Sequence, residues 1–237
     1  MGRRKERKYW EKIQKELYGK YMMFVDQIKP PIDILIANGD LIDGRGEKNG
    51  GTELVTNKRQ EQVEMAIELL KPWEARKAVF LAGTPYHVGK LEDYEESIAQ
   101  AFGASLESHA VCEIKYEGVA VDIKHKIGRS SVPYSRGTAV MREKLWNQLQ
   151  AIREEAPLAD MIVRSHIHYF VEIIDADGVA LVTPALQASR THYGEREVSG
   201  TVDWGLLAFT ADGGEVETSH RKYINKIEAN KITTIAL

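Results

Sequence analysis

The chain has 237 residues and a formal charge of -3, from 32 basic and 35 acidic side chains. That length suits one large α/β domain with a full core. The near-balanced charge argues against a generic nucleic-acid-coating protein while leaving room for a local basic face. The one cysteine, Cys112, rules out an internal disulfide and a cysteine-rich zinc site, and points to a reducing compartment. The early apolar runs are too short to span a bilayer, and no apolar signal core follows the basic segment 2–8. A cytoplasmic protein with no membrane partner is the expectation.

In chain order, Trp10, Ile13, Leu17, Tyr21, Phe24 and Ile28 recur at steps of three and four, which predicts an amphipathic helix. Its basic outer faces read as solvated surface or, alternatively, as a nucleic-acid-binding arm. Lys29-Pro30-Pro31 ends it, because proline lacks the N–H that continues the ladder. The isoleucine-rich run 32–37 reads as a strand with both faces covered. Asn38-Gly39-Asp40 sits at its end, and a glycine-rich loop, 44–56, is expected to cover one side of the site there. Then come a helix over 58–75, a buried strand over 77–82 and a helix near 91–102.

After Ala110 the character changes. Segments 111–116 and 119–125 read as a hairpin across Glu117-Gly118, and a helix covers about 138–154. Strands are expected at 161–165, 170–174, 179–183, 205–210 and 215–219, with turns at Asp177-Gly178 and Asp212-Gly213-Gly214. The first half alternates strand and helix, and the second is mostly hairpins. That predicts a single α/β (α+β) domain, 1–237, of two mixed sheets packed face to face with helices outside.

Asp40 lies just past a buried strand, where open α/β sheets place ligand sites, although Asn-Gly-Asp is also an ordinary turn. Asp43 is placed to hold a neighbouring group. Ser165-His166-Ile167-His168 carries the strongest signal: two histidines in alternation at a strand end point the same way. Imidazole is the commonest nitrogen ligand of zinc, manganese, iron or nickel, and a pair of exposed strand histidines is the plainer alternative. His125, at another strand end, joins them as a fourth possible ligand. Gly83-Thr84-Pro85-Tyr86-His87 also follows a strand and precedes a helix. It is not a phosphate loop, because Val88 stands where the second glycine belongs and Leu91 where Ser or Thr is required.

In this order the segments resemble the calcineurin-like metallophosphoesterase superfamily, whose motifs are Asp-x-His, Gly-Asp-x-x-Asp, Gly-Asn-His, a lone His and Gly-His-x-His. Gly39-Asp40-Leu41-Ile42-Asp43 matches the second, His125 the fourth, and Ser165-His166-Ile167-His168 the last with Ser for Gly. The resemblance implies two β-sheets flanked by helices and two divalent metals, Mn2+ foremost, with Zn2+, Fe2+ or Ni2+ as alternatives. It implies that Asp40 bridges them, that His125 and His166 bind one, and that His168 binds the other. It further implies phosphate-ester hydrolysis by metal-activated water, as a phosphodiesterase or nuclease-like enzyme or as a phosphatase.

Two departures stand out. Thr84 replaces Asn in the third motif as a poorer ligand, and His87 follows as general acid or ligand. The first motif has no counterpart, and the chain opens in what resembles the helix after the family's first strand. One metal then keeps only Asp40 and His168, and the sheet lacks a central strand. Three expectations follow: a sequence that begins after that strand, a degenerate single-metal or metal-free binding or scaffold module, or an oligomer or partner chain that supplies the strand. Arg45, Arg129, Arg136, Arg190 and His192 are candidates for the rim, with Arg45 and Arg190 foremost for holding phosphate. Nothing here reads bases, so any nucleic-acid substrate is taken without sequence specificity.

Overall fold

A 27-residue helix, α1 (Gly2–Ile28), opens the chain. Its apolar positions return every third or fourth residue, so Ile13, Tyr21, Phe24 and Val25 share one buried side, with Leu17 and Ile28 packed at its margin. It stops at Ile28, where Lys29 turns left-handed (φ 62°) and two prolines follow. The structure is a computed structural model that describes residues 2–46, 51, 54–88, 94–114, 118–130, 132–188, 202–211 and 221–225.

The elements that follow α1 track the sequence pattern. They are β1 (Ile34–Asn38), α2 (Arg59–Leu70), β2 (Lys77–Leu81), a single turn α3 (Pro85–Val88), α4 (Tyr94–Ala101) and β3 (Leu106–Glu107). Then come β4 (Ala110–Ile114), β5 (Val119–Lys124), α5 (Thr138–Ile152), β6 (Met161–Arg164), β7 (Val171–Asp175), β8 (Gly178–Val182), β9 (Trp204–Ala208) and β10 (Arg221–Asn225). The helix expected to reach residue 75 stops at Leu70. There Lys71-Pro72-Trp73 tightens into a 3-10 turn and Glu74 turns left-handed. The strand expected at 215–219 and the turn at 212–214 lie outside the described residues.

The strands form two layers. One contains the parallel sheet β1-β2-β3 and the antiparallel pair β9-β10; the other is the mixed sheet β4-β5-β6-β8-β7. Side-chain alternation shows that the first two share a layer. Leu35 of β1 and Trp204 and Leu206 of β9 join the cluster beneath α1. Their neighbours Ile36 and Leu207 join Val121, Val163 and Leu181 of the five-stranded sheet. The layer predicted as one mixed sheet is therefore built in two pieces, and among the described residues no strand pairing joins β1 to β9. α2 and α4 cover one outer face and α5 the other. Among the described residues no helix is long and apolar enough to cross a membrane.

A buried ion pair braces the second sheet beneath α5. Arg164, 2 % exposed, donates to Asp122 Oδ1 at 2.7 Å, to the Asp122 carbonyl at 3.1 Å and to Glu143 at 3.1 Å. Burial opposes the Asp122 charge, but His109 and Arg164 beside it hold its carboxyl below the usual range. Breaking such a pair leaves an uncompensated buried charge. Arg164→Leu is expected to lower the unfolding free energy by about 3–5 kcal/mol, read as a lower urea midpoint. Arg76→Leu, whose partner Asp33 is 82 % exposed, should leave the midpoint in place. Equal effects of the two changes would contradict this account.

Candidate metal centre

β1 runs parallel to β2, and β5 parallel to β6, and the contacts of Asn38 with His125 and Ser165 and of Asp40 with Thr84 bring the ends of all four strands together. Gly39 (φ 74°) and Asp40 (φ 54°) turn left-handed immediately after β1 and bring the Asp40 carboxylate there. Gly39 has no side chain because a Cβ would stand 2.6 Å from His125 Nδ1. Gly83 is bare for the same reason, since its Cβ would collide with Asp40. Thr84 follows β2, His125 follows β5, and His166 lies in the turn after β6.

Three imidazoles surround one carboxylate oxygen. Asp40 Oδ2 is 3.0 Å from His125 Nε2, 3.7 Å from His166 Nδ1 and 3.9 Å from His87 Nε2. Its other oxygen accepts from the Thr84 backbone N–H at 2.6 Å and the Thr84 hydroxyl at 3.1 Å. Thr84 thus acts as a donor that turns Oδ2 inwards. His125 Nδ1–H donates to the Asn38 carbonyl at 2.6 Å, which places that proton on Nδ1 and leaves Nε2 facing Asp40. His125 Nε2 and His166 Nδ1 are buried with no hydrogen-bond partner. Donor atoms of Asp40, His125 and His166 lie within 4.8 Å of one another. Orphaned buried nitrogens beside a carboxylate oxygen, with no thiolate, are what a hard-to-borderline divalent ion fits.

The electrostatics follow from this crowding. Burial works against the Asp40 charge, yet His125 and His166 hold its carboxyl well below the ordinary range. Burial likewise opposes the His125 imidazolium, but the Asp40 charge beside it raises the His125 pKa. His168 behaves differently: burial dominates and pushes it down to about 4.

The histidine pair reaches the site by a route other than the expected one. β6 ends at Arg164, and His166 (φ 76°) and His168 (φ 58°) both sit in the left-handed region of a turn. The Ile167 N–H donates to the Ser165 carbonyl at 3.0 Å, and the Ile167 side chain is buried. Strand alternation therefore does not aim them. The turn sends His166 to Asp40 and leaves His168 outside the group of three. Three of the six left-handed non-glycine residues described are Asp40, His166 and His168, which concentrates backbone strain at this centre.

Of the other predicted residues, Asp43 stays beside the centre, next to His87. Asp43 acts through its backbone, where its carbonyl accepts from His87 Nδ1 at 3.2 Å; its exposed carboxylate accepts from Gln187 at 3.4 Å. Arg45 and Arg129 are exposed, and the Arg136 guanidinium lies 4.6 Å over the Tyr169 ring. Arg190 and His192 lie outside the described residues.

Two positioning residues escaped the sequence reading. Glu95 on α4 is fully buried and accepts from the N–H groups of Leu41 and Gly83, each at 2.7 Å, clamping the two loops that carry Asp40 and Thr84. Burial raises its pKa. In sequence it is one acid among several at a helix start. Asn38 Nδ2 donates to Ser165 Oγ at 2.7 Å, and Ser165 Oγ meets Thr183 Oγ1 at 2.8 Å.

No family model matches this chain, and no curated protein matches it. Among solved structures it is similar to a single mutant of Vps29 from Entamoeba histolytica, at 13 % identity and TM-score 0.43, covering 86 % of this chain and 89 % of that one. It is also similar to protein TM1076 of Thermotoga maritima, at 16 % identity and TM-score 0.34, covering 82 % and 98 %. Vacuolar Protein Sorting 29 from Cryptosporidium parvum matches at 12 % identity and TM-score 0.37, covering 81 % and 95 %. At these identities and scores, function rests on the residues themselves.

Two outcomes are expected from this geometry. Glu95→Gln loses one acceptor and sets an amide N–H2 against a backbone N–H, so Mn2+ affinity should fall about 10- to 100-fold by isothermal titration while the circular dichroism is retained. Unchanged affinity would remove Glu95 from the site's support. The second concerns pH. Because His168 binds its proton less readily folded than unfolded, unfolding takes protons up. Stability of the metal-free protein should therefore fall as pH drops from about 6.5 towards about 4. His168→Phe should flatten urea-measured stability over that window relative to wild type. A parallel fall in both proteins would sink the assignment.

Proposed function

We propose that this chain hydrolyses phosphate esters at a divalent-metal centre held by Asp40, His125 and His166. The observation that carries this is the pair of buried, unpartnered imidazole nitrogens facing one carboxylate oxygen. Mn2+ is the ion favoured by the resemblance, with Zn2+, Fe2+ or Ni2+ as alternatives suited to the same oxygen and nitrogen donors. A divalent ion bound here supplies Lewis acidity towards a phosphoryl oxygen and makes water a nucleophile at neutral pH. The chain's own residues prepare for it. Asn38 keeps the His125 proton on Nδ1, Thr84 occupies Oδ1 of Asp40, and Glu95 holds both loops. With Nδ1 tied to the Asp43 carbonyl, a protonated His87 presents its Nε2–H towards the centre and serves as the acid for the leaving oxygen. The substrate class is a phosphate monoester or diester, a nucleic-acid backbone included, taken without reference to base sequence.

The ordered motifs around Asp40, His125 and His166 support the same reading through the calcineurin-like resemblance. A second reading, a single-metal binding module without turnover, is favoured by one observation: His168 is not one of the three converging donors.

Manganese analysis with hydrolysis of bis-p-nitrophenyl phosphate and p-nitrophenyl phosphate separates the two readings. Bound Mn2+ with turnover of either ester is expected. Asp40→Asn and His166→Ala should each remove about 100-fold or more of that turnover. His87→Ala should lower turnover much further than metal content. Metal binding with neither ester hydrolysed would leave the binding module, and a protein that takes up no divalent ion would overturn both.

A further inference from the structure

α5 presents an unusual outer face. Its inward residues Val140, Lys144 and Asn147 are buried against the five-stranded sheet. A helix advances about 100° per residue, so Leu145, Leu149 and Ile152 fall on the opposite side with Trp146 beside them. These four are 54 %, 40 %, 79 % and 53 % exposed. A solvated helix carries charge there. Here apolar side chains recur at steps of four and three, which is the spacing of a seam between helices. Leu158, just past the helix, is also exposed. Together these side chains offer on the order of 500 Å² of apolar surface, at the upper end of what a monomer leaves open.

We propose that this stripe is the seam of a two-fold homodimer in which α5 packs antiparallel on α5 of a second copy. Two observations select that occupant. A two-fold contact buries the same patch on both copies, giving about 1,000 Å², the least that a biological interface buries. The charges at the ends of the stripe are opposite. Arg142 is exposed one turn before Leu145, and Glu154 and Glu155 are exposed beyond Ile152. Glu155 meets Arg153 only at 3.9 Å and both remain more than half exposed, so this end carries two acids and one base and is acidic in sum. An antiparallel pairing sets Arg142 of each copy beside the acidic end of the other, twice over, whereas a parallel pairing would set like against like. No residue of the Asp40 centre takes part, so this proposal stands or falls independently of the phosphoesterase reading.

Sedimentation equilibrium of the full chain tests it. A dimer is expected at micromolar concentration. Leu149→Glu with Ile152→Glu should raise its dissociation constant at least about 100-fold, with far-ultraviolet circular dichroism unchanged because both side chains face solvent in the monomer. Arg142→Glu should weaken the dimer about 10-fold, and adding Glu154→Arg and Glu155→Arg should restore it. A monomer at about 100 µM overturns the proposal and leaves the stripe to a different protein. A dimer indifferent to Leu149→Glu and Ile152→Glu places the seam elsewhere and overturns it equally. Failure of the charge exchange to restore association overturns the antiparallel arrangement.

Discussion

Asn38 is the residue on which the centre depends, because it ties one layer of the molecule to the other. Its carbonyl accepts the His125 Nδ1–H, and its side-chain amide donates to Ser165 Oγ. β1 belongs to one layer, and β5 and β6 to the other. These contacts set the distance across which Asp40 meets His125 and His166. The Ser165 N–H donating to the His125 carbonyl at 2.9 Å links the two histidine-bearing ends directly. Once the strand ends are locked in this way, the left-handed turns at Asp40 and His166 have a fixed frame against which to hold their strain.

Burial and charge then act together. Asp40 stays ionised in a half-dry site because imidazoles surround it, and the Asp40 charge in turn makes His125 more basic. Under the proposed metal-binding role, such a cluster would give up protons as a cation binds, since metal ligands must be deprotonated first. Glu95 adds a second buried carboxylate close by, and its two backbone donors are the condition for keeping it there. The same logic governs Asp122 and Arg164 on the far side of the five-stranded sheet, where paired charges are buried only because each satisfies the other.

The two faces of the five-stranded sheet serve different ends. The inner face packs Val121, Val163 and Leu181 against β1, β2 and β9, and so holds in register the strand ends that carry the site. The outer face is closed by α5, whose inner side packs Val140 against Ile162, Ala180 and Val182 and whose outer side leaves a surplus of apolar surface. Of the apolar residues in α5, Val140 and Ala139 pack into the core, while Leu145, Trp146, Leu149 and Ile152 stay exposed.

Much of this was legible in the residue order alone. Apolar periods of two and of about 3.6 are local, and they marked α1, β1, β2, the β4-β5 hairpin and α5 close to where they stand. That Asp40, His125 and His166 belong together was legible because carboxylate and imidazole at strand ends are the donors a divalent ion would use. Tertiary structure alone decided the rest. It split the first layer into two pieces, placed His166 and His168 in a turn, made Thr84 a hydrogen-bond donor, and assigned Glu95 and Asn38 their positions. The contacts responsible join residues 54, 87 and 127 positions apart. A local pattern carries no record of such distances. A buried glutamate that clamps two loops and an exposed one at a helix start are the same letter until the chain has folded.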